Sequence, residues 1–201
     1  MRGLNLRAPL VYGVARGGVV VAAAVADALG AELDVVAPRK LPHPANGEVA
    51  IGAVAEDGAI FVDDEVTAHG GISPAYIERQ RQTAAAESMR RVAMYRGNAR
   101  AISASDRAVI LVDDGIATGF TLLAAAASLR AQRPQRLIIA VPVAPHPVPA
   151  ALCSIADEVV VLAQPEPFYA VGQAYERFAQ VDDSTVVRLI QAHRIAGRPP
   201  A

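Results

Sequence analysis

The sequence predicts an α/β fold in which a mostly parallel central sheet is flanked by helices. Of the 201 residues, 53% are apolar, which is enough to bury a full core. Residues 10–14, 19–29 and 33–37 have the patterns of a strand, a helix and a strand, an order that implies two parallel strands. Residues 109–112 form an uninterrupted apolar run, as expected of a strand that is buried on both faces.

Breaker and capping residues place the other elements. Gly30 closes the first helix, while Ser73 and Pro74 suit the cap and first turn of the longest helix, residues 74–96. Two apolar runs around the turn at Gly58 predict a hairpin. The hairpin strands are residues 50–54 and 60–62, and the remaining elements are a helix that ends at 129, strands at 137–141 and 159–162, a short helix before 156 and a final helix at 185–194. Since no repeat or linker divides the chain, residues 1–201 are predicted to form a single domain.

Composition excludes several classes of function. A net charge of -1 argues against a general nucleic-acid binder, and no apolar run approaches the length of a membrane helix. Cys153 is the only cysteine, so no disulfide framework exists, and its small apolar neighbours predict a buried, unreactive thiol. Residues 1–9 lack the apolar core of a signal peptide, so the expected location is the cytoplasm.

Three groups of charged or potentially metal-binding residues are expected to have no role in chemistry. Residues 63–65, Asp-Asp-Glu, lie beside the predicted hairpin and are expected to be a solvated turn. The arginines of residues 74–96 suit a solvated helix face, with a helix leaning over a phosphate site as the alternative. The four histidines, His43, His69, His146 and His193, are scattered without metal-ligand spacing.

The stretch after residue 112 carries the strongest chemical signal. It leaves a buried strand and enters a helix, where backbone N–H groups and the helix dipole favour an anion. Gly115 and Gly119 allow close backbone approach, and Thr118 and Thr121 add hydroxyl donors. The adjacent acids Asp113-Asp114 suit sugar hydroxyls, or a metal through water. A phosphate cradle beside a hydroxyl-binding pair describes a site for a ribose 5-phosphate.

This stretch resembles the phosphoribosyl pyrophosphate (PRPP) motif of type I phosphoribosyltransferases, which is four apolar residues, two acids and a Thr-Gly-x-Thr loop. The resemblance implies that fold, with a small hood formed by residues 163–195. It also implies that Asp113 and Asp114 hold the ribose hydroxyls, with Mg²⁺ bound through PRPP rather than in a tight protein-only site. The implied 5-phosphate loop comprises Gly115, Ile116, Ala117, Thr118, Gly119, Phe120 and Thr121.

A second loop is similar to the pyrophosphate loop of the same family. It comprises Ala15, Arg16, Gly17 and Gly18, one strand–helix–strand unit before the PRPP motif. Family members often have a non-proline cis peptide at the place of the Ala15–Arg16 bond. Arg39 and Lys40 follow the second strand, at the end of a parallel sheet where ligands bind, so they are expected to contact pyrophosphate. The alternative is a plain surface pair.

The resemblance extends to a bacterial subfamily of predicted phosphoribosyltransferases, whose members carry a long helix where other relatives have a flexible loop. Ala117 departs from the 6-oxopurine salvage enzymes, which carry an aspartate at the matching place, so a hypoxanthine or guanine acceptor is disfavoured. The acceptor is expected between the PRPP loop and the segment after the last strand. There Phe168 or Tyr169 is predicted to stack on a base, with packing as cover the alternative.

The predicted function is therefore transfer of the 5-phosphoribosyl group from PRPP to a nucleobase or similar nitrogen heterocycle, with Mg²⁺ and release of pyrophosphate. Such an enzyme belongs to nucleotide and nucleoside metabolism, and it needs no covalent nucleophile because the protein mainly positions and neutralises its substrates. Its partners are small molecules rather than nucleic acid or membrane, and a homodimer is left open. The alternative is a non-catalytic module that senses PRPP or a nucleotide on the same fold.

Overall fold

The computed structural model describes residues 9–196, so residues 1–8 and 197–201 of the predicted domain lie outside the described part. Eight strands, six α-helices and one 3₁₀ helix follow one another along it. In chain order they are β1 (Leu10–Val14), α1 (Gly17–Leu29), β2 (Glu32–Val36), β3 (Arg39–His43), β4 (Asn46–Val54), β5 (Ile60–Val62), α2 (Asp64–His69), α3 (Pro74–Arg96), β6 (Ala108–Val112), α4 (Phe120–Ala131), β7 (Arg136–Val143), α5 (Ala150–Ile155), β8 (Glu158–Ala163), the 3₁₀ helix (Val171–Ala174) and α6 (Asp183–Ala196).

Five strands form a parallel sheet in the order β2-β1-β6-β7-β8. In the centre, Leu10 of β1 pairs with Val109 of β6 and Gly13 pairs with Val112. The predicted α/β fold with a central parallel sheet flanked by helices is confirmed.

The alternation of β6 shows why both faces of this sheet are covered. Ile110 and Val112 pack with α1, α3 and α6, while Val109 and Leu111 pack with α4. Because successive side chains of a strand point to opposite faces, the continuous apolar run buries residues in two separate cores.

A second, antiparallel sheet of β3, β4 and β5 lies between α3 and α4. Leu41 and Ile51 face α3, where Tyr76 packs against them, and the Tyr76 hydroxyl donates to the Pro42 carbonyl at 2.9 Å. On the opposite face, Phe61 of β5 contacts Phe120 of α4 with ring centroids 5.4 Å apart. The second sheet is therefore fixed by apolar contacts on both of its faces.

Several elements begin and end at the predicted residues. The longest helix spans Pro74–Arg96, and the Ser73 hydroxyl accepts from the Tyr76 N–H at 3.3 Å. Gly30 closes α1 with a φ of 59°, a left-handed conformation that glycine adopts without steric cost. The predicted hairpin is present as β4 and β5.

Arg39 and Lys40 follow β2 as expected, and antiparallel pairing with β4 makes them the first residues of β3. Two expectations are corrected. Residues 63–65 are not a simple turn: Asp63 caps α2 by accepting from the Val66 N–H at 3.0 Å. Cys153 is exposed rather than buried, because on α5 it is Leu152 that faces the core.

The arginines of α3 are mostly held by acidic partners. Arg81 bonds Glu78 at 2.8 Å, while Arg90 and Arg91 bond Glu87 at 2.7 Å and 2.9 Å. These pairs at helical i,i+3 and i,i+4 spacing favour a solvated helix face over a phosphate-binding one.

Among residues 9–196, no helix is long and apolar enough to cross a membrane.

Asp34 ties two helices to the edge of the parallel sheet. It is fully buried on β2, where it accepts from Arg96 Nε of α3 and from Arg194 Nη2 of α6, both at 2.9 Å. Its second carboxylate oxygen accepts from the Ile102 N–H at 2.9 Å. A buried carboxylate with three such donors compensates its desolvation, and each donor loses its partner if the carboxylate is removed.

Asp34→Ala should lower the free energy of unfolding by about 3–5 kcal/mol, because it leaves two arginines without their shared buried partner. Urea unfolding measures this loss. The matched control is Asp27→Ala, which removes an exposed carboxylate that contacts His193 and should change stability by less than about 0.5 kcal/mol. Equal effects of both substitutions would contradict a structural role for the Asp34 cluster.

Candidate functional site

The two loops singled out in the sequence meet at one edge of the parallel sheet. β1 and β6 are adjacent and parallel, so residues 15–18 and residues 113–121 both leave the carboxyl ends of neighbouring strands. In open parallel sheets this edge forms the ligand crevice. The peptide bond between Ala15 and Arg16 is cis, as the resemblance implied.

Two glycines of the first loop pack directly against the two aspartates of the second. A Cβ atom at Gly17 would lie 1.9 Å from Asp114 Oδ2, and one at Gly18 would lie 2.8 Å from Asp113 Oδ1 and Cα. Atoms cannot approach so closely, so any side chain at either position must displace an aspartate or the loop that carries it. The glycines therefore allow both loops to border the same space.

Two helices begin at this edge. α1 starts at Gly17 and α4 starts at Phe120, and neither has an acidic residue in its first turn. The positive ends of both helix dipoles are consequently uncompensated by acids of their own helix. This arrangement provides two positions where an anion can be stabilised, one at the start of each helix.

The loop that enters α4 divides into anchors and exposed residues. Ile116 is fully buried and its N–H donates to the Val143 carbonyl at 2.9 Å, so that N–H is not available to a ligand. Phe120 packs on Phe61. Ala117 and Thr118 are exposed and Thr121 is half-buried. Within the predicted 5-phosphate loop, Ile116 and Phe120 thus hold the backbone in place, and Ala117 and Thr118 between them face outward.

The electrostatics of the aspartate pair are unfavourable in the absence of a ligand. Burial, followed by the negative charge of Asp114, raises the pKa of Asp113 well above its ordinary value, and the charge of Lys40 opposes this rise. Burial also raises the pKa of Asp114. The Asp114 N–H donates to Asp113 Oδ1 at 2.8 Å. A hydroxyl donor or a cation bound at this pair would relieve the cost of ionising both carboxylates.

Residues 171–181, which follow the last strand and are called the cover, lie against the second loop. This loop, residues 113–121, is called the aspartate loop. The Tyr175 hydroxyl donates to the Asp114 carbonyl at 2.5 Å, and burial together with the charges of Asp114 and Asp113 raises the pKa of Tyr175 to about 12. Gly115 lies against Val171, where a Cβ would be 2.5 Å from Val171 Cγ1. Phe178 packs on Tyr175 with ring centroids 5.1 Å apart.

One cavity borders Asp114, and a second borders Lys40 and Thr121. The Asp114 cavity, about 490 Å³, is bounded by the first loop and the cover, and its lining includes Arg16, Gly17, Asp114, Tyr175, Arg177 and Phe178. The Lys40 cavity, about 590 Å³, is lined by Arg39 and Lys40 of β3, by Thr121, and by Gln80, Thr83 and Glu87 of α3. The long helix thus lies beside the second loop and presents neutral and acidic side chains to this cavity.

The structure brings together most, but not all, of the predicted site residues. Arg16, the two glycines and both aspartates border the Asp114 cavity or contact its lining, and Lys40 is close enough to influence Asp113. Phe168 is half-buried and Tyr169 is 83% exposed, and neither lines either cavity. Tyr175, Arg177 and Phe178 line the cavity instead. The aromatic residues of the segment after the last strand indicated that this segment contributes to the site. They did not indicate that Tyr175, Arg177 and Phe178 are the residues that line the cavity.

Comparisons with known proteins agree on one family. The family model "Phosphoribosyl transferase domain" matches residues 2–148. Two proteins of Mycobacterium tuberculosis, from the strains CDC 1551 / Oshkosh and ATCC 25618 / H37Rv and both named as inferred phosphoribosyl transferases, are 40% identical over 192 residues. Those residues are 95% of this chain but only 43% of each relative, so the chain spans less than half of their length.

A solved structure is similar over nearly its whole length. The crystal structure of TT1426 from Thermus thermophilus is 39% identical and superposes with a TM-score of 0.79, covering 94% of this chain and 90% of that one. The similarity includes the fold that positions both loops.

Asp113→Asn should stabilise the ligand-free protein, and the gain should grow as pH rises from about 4 to 7. An acid with a raised folded pKa binds its proton more tightly in the folded than in the unfolded state, so the cost appears above the unfolded pKa. One such proton contributes at most about 1.4 kcal/mol per pH unit. Denaturant unfolding of both proteins across this pH range measures the difference.

Asp182→Ala is the control, because the contribution of Asp182 to stability should depend on pH with the opposite sign. The Asp182 carboxylate accepts from the Thr185 N–H at 2.6 Å, a bond that lowers its pKa. Its contribution to stability should therefore be present at neutral pH and be lost as pH falls. A difference between Asp113→Asn and the native protein that does not vary with pH would refute the assigned cost.

Proposed function

The chain belongs to the phosphoribosyl transferase domain family, and we propose that it transfers the 5-phosphoribosyl group of PRPP to a nitrogen heterocycle and releases pyrophosphate. The observation that carries this proposal is the contact of Gly17 and Gly18 with Asp114 and Asp113. This contact holds an acid pair, which could accept from sugar hydroxyls, against the start of α1, and the loop of that pair leads into the start of α4. Each helix N-terminus could take a phosphate group. PRPP has that order of groups: a 5-phosphate, ribose hydroxyls and a diphosphate.

Each part of the site has a role in this reaction. The start of α4, with Thr118 and Thr121, would hold the 5-phosphate, and Asp113 and Asp114 would accept hydrogen bonds from the ribose hydroxyls. The start of α1, with Arg16 and the nearby Lys40, would hold the diphosphate. The bond between the anomeric carbon and the diphosphate breaks while positive charge develops on the ribose ring. Fixed charges on both sides stabilise that separation without a covalent nucleophile.

The donors present fit Mg²⁺ that is completed by substrate oxygens. Two adjacent aspartates offer oxygen ligands of the kind that Mg²⁺ takes, and ionising both of them is costly without a cation. Within residues 9–196 no group of three or more His, Cys, Asp or Glu side chains could hold a metal ion, so PRPP would provide further ligands. Bound there, Mg²⁺ would neutralise the leaving diphosphate.

The acceptor is proposed to enter the Asp114 cavity, which is bounded by the first loop, Asp114 and the cover. The exposed Ala117 offers no group to move a base proton. Stacking by Phe168 or Tyr169, a cytoplasmic location and a homodimer stay predictions.

The double variant Asp113→Asn/Asp114→Asn should lose PRPP binding by at least about 100-fold while keeping its fold, because two charged hydrogen-bond acceptors are neutralised where they face a ligand. Titration calorimetry with PRPP and Mg²⁺ measures the affinity, and circular dichroism checks the fold. Unchanged affinity in a folded variant would refute the assignment of the pair.

A glycine pair provides a matched test of the first loop. In Gly17→Ala the new methyl group would occupy the place of Asp114 Oδ2, so PRPP affinity should fall. The same substitution at Gly47, which has no neighbour within 4 Å of its Cβ position, should leave that affinity unchanged.

The native protein should release pyrophosphate from PRPP when a suitable acceptor and Mg²⁺ or Mn²⁺ are both present, and chelation should stop turnover, because the metal neutralises the leaving group. A coupled pyrophosphate assay with a panel of nitrogen heterocycles tests this. After dialysis the protein alone should hold no stoichiometric metal, since the substrate supplies most ligands. Tight PRPP binding without release for any acceptor would favour the sensing module instead.

A further inference from the structure

The Asp114 cavity contains one cation that the proposed diphosphate site does not use. Its lining contains Arg16 and Gly17 at the start of α1, which are assigned to the diphosphate, together with Arg177 and one carboxylate, Asp114. Asp182 lies close enough to Arg16 for the two charges to interact. Arg177 has neither a hydrogen bond nor an ion pair with any residue in the described range 9–196. Arg177 is exposed, so its guanidinium can pair with an anionic group that enters the cavity.

The rest of the cavity suits a flat ring. Tyr175 and Phe178 stand on either side of Arg177 in the chain, and both of their rings border the cavity. Val20 and Val21 of α1 add apolar lining, and Gln180 adds one neutral amide. A volume of about 490 Å³ is within the range of small-molecule sites. Aromatic and aliphatic walls favour a planar heterocycle, while Arg177 favours one that carries a negative group.

The cavity also lacks a group to remove a proton. Among the described residues, no histidine, glutamate, lysine or cysteine lines it, and Asp114 is assigned to the ribose hydroxyls. A neutral base that must lose a proton on attack would have no protein base in this cavity. An acceptor whose ring nitrogen has a free lone pair needs none.

We propose that the acceptor is a heteroaromatic carboxylate and that Arg177 is the residue that selects it, an inference that rests on the function proposed above. The lone pair of the ring nitrogen forms a bond to the anomeric carbon of PRPP. The bond between that carbon and the diphosphate oxygen breaks, and its electron pair leaves on pyrophosphate. No proton moves, and the acceptor carboxylate remains paired with the Arg177 guanidinium. The diphosphate is held by the start of α1 and Lys40.

The test compares rings that differ only in charge. Pyridine-3-carboxylate and pyridine-3-carboxamide are titrated into the protein saturated with ribose 5-phosphate, which lacks a leaving group and so cannot react. The native protein should bind the carboxylate at least about 10-fold more tightly, as a charged hydrogen-bonded pair implies. Arg177→Gln should remove most of this preference, and Arg177→Lys should keep part of it. The matched control Arg188→Gln, on the exposed face of α6, should keep it fully.

The affinity for PRPP distinguishes a role of Arg177 in acceptor binding from a role in diphosphate binding. If Arg177 serves the acceptor, Arg177→Gln should change PRPP affinity by less than about twofold, because no contact with PRPP is lost. A loss of PRPP affinity as large as the loss of carboxylate affinity would assign Arg177 to the diphosphate and overturn the inference. Equal binding of both rings by the native protein, or no binding of the carboxylate, would overturn it as well. Failure of the native protein to bind PRPP would instead refute the proposed function.

Discussion

The packing of two glycines against two aspartates is the constraint on which the site depends. Gly17 and Gly18 leave no room for a side chain, because Asp114 and Asp113 occupy that space. The close approach is possible only since β1 and β6 are paired in register, so that both loops leave the sheet at the same level. One geometric requirement therefore holds the partly buried acid pair against the start of α1, while the loop that carries the pair leads into α4.

The antiparallel sheet of β3, β4 and β5 determines which side chain lies near the Asp113–Asp114 pair. β3 carries Lys40 to within electrostatic range of Asp113, and β3 is held by its pairing with β4 and by Leu41 packing towards α3. Helix α3 in turn depends on the buried carboxylate of Asp34, which binds Arg96 at its last residue. A charge at the edge of the parallel sheet thus supports the helix that lines the Lys40 cavity, although Asp34 itself is remote from that cavity's lining.

The cover adds aromatic and charged side chains to the site that the two loops form. It is attached at two points, the Tyr175 hydrogen bond to the Asp114 carbonyl and the contact of Val171 with Gly115. Through them a shift of the aspartate loop would move Tyr175, Arg177 and Phe178 together. A ligand that shifted the aspartate loop would therefore reshape the Asp114 cavity through direct contacts rather than through a long pathway.

The sequence by itself determined the elements whose signals are local. The apolar run before Asp113, the glycine turn at Arg16, the Ser73–Pro74 start of α3 and the composition of the aspartate loop each predicted the structure that is observed. Tertiary structure alone decided that Arg39 and Lys40 join an antiparallel strand, that Cys153 faces outward and that Arg177 rather than an aromatic of residues 168–169 borders the cavity. The physical reason is that strand pairing, burial and cavity lining depend on contacts between residues far apart in the chain, which no local pattern encodes.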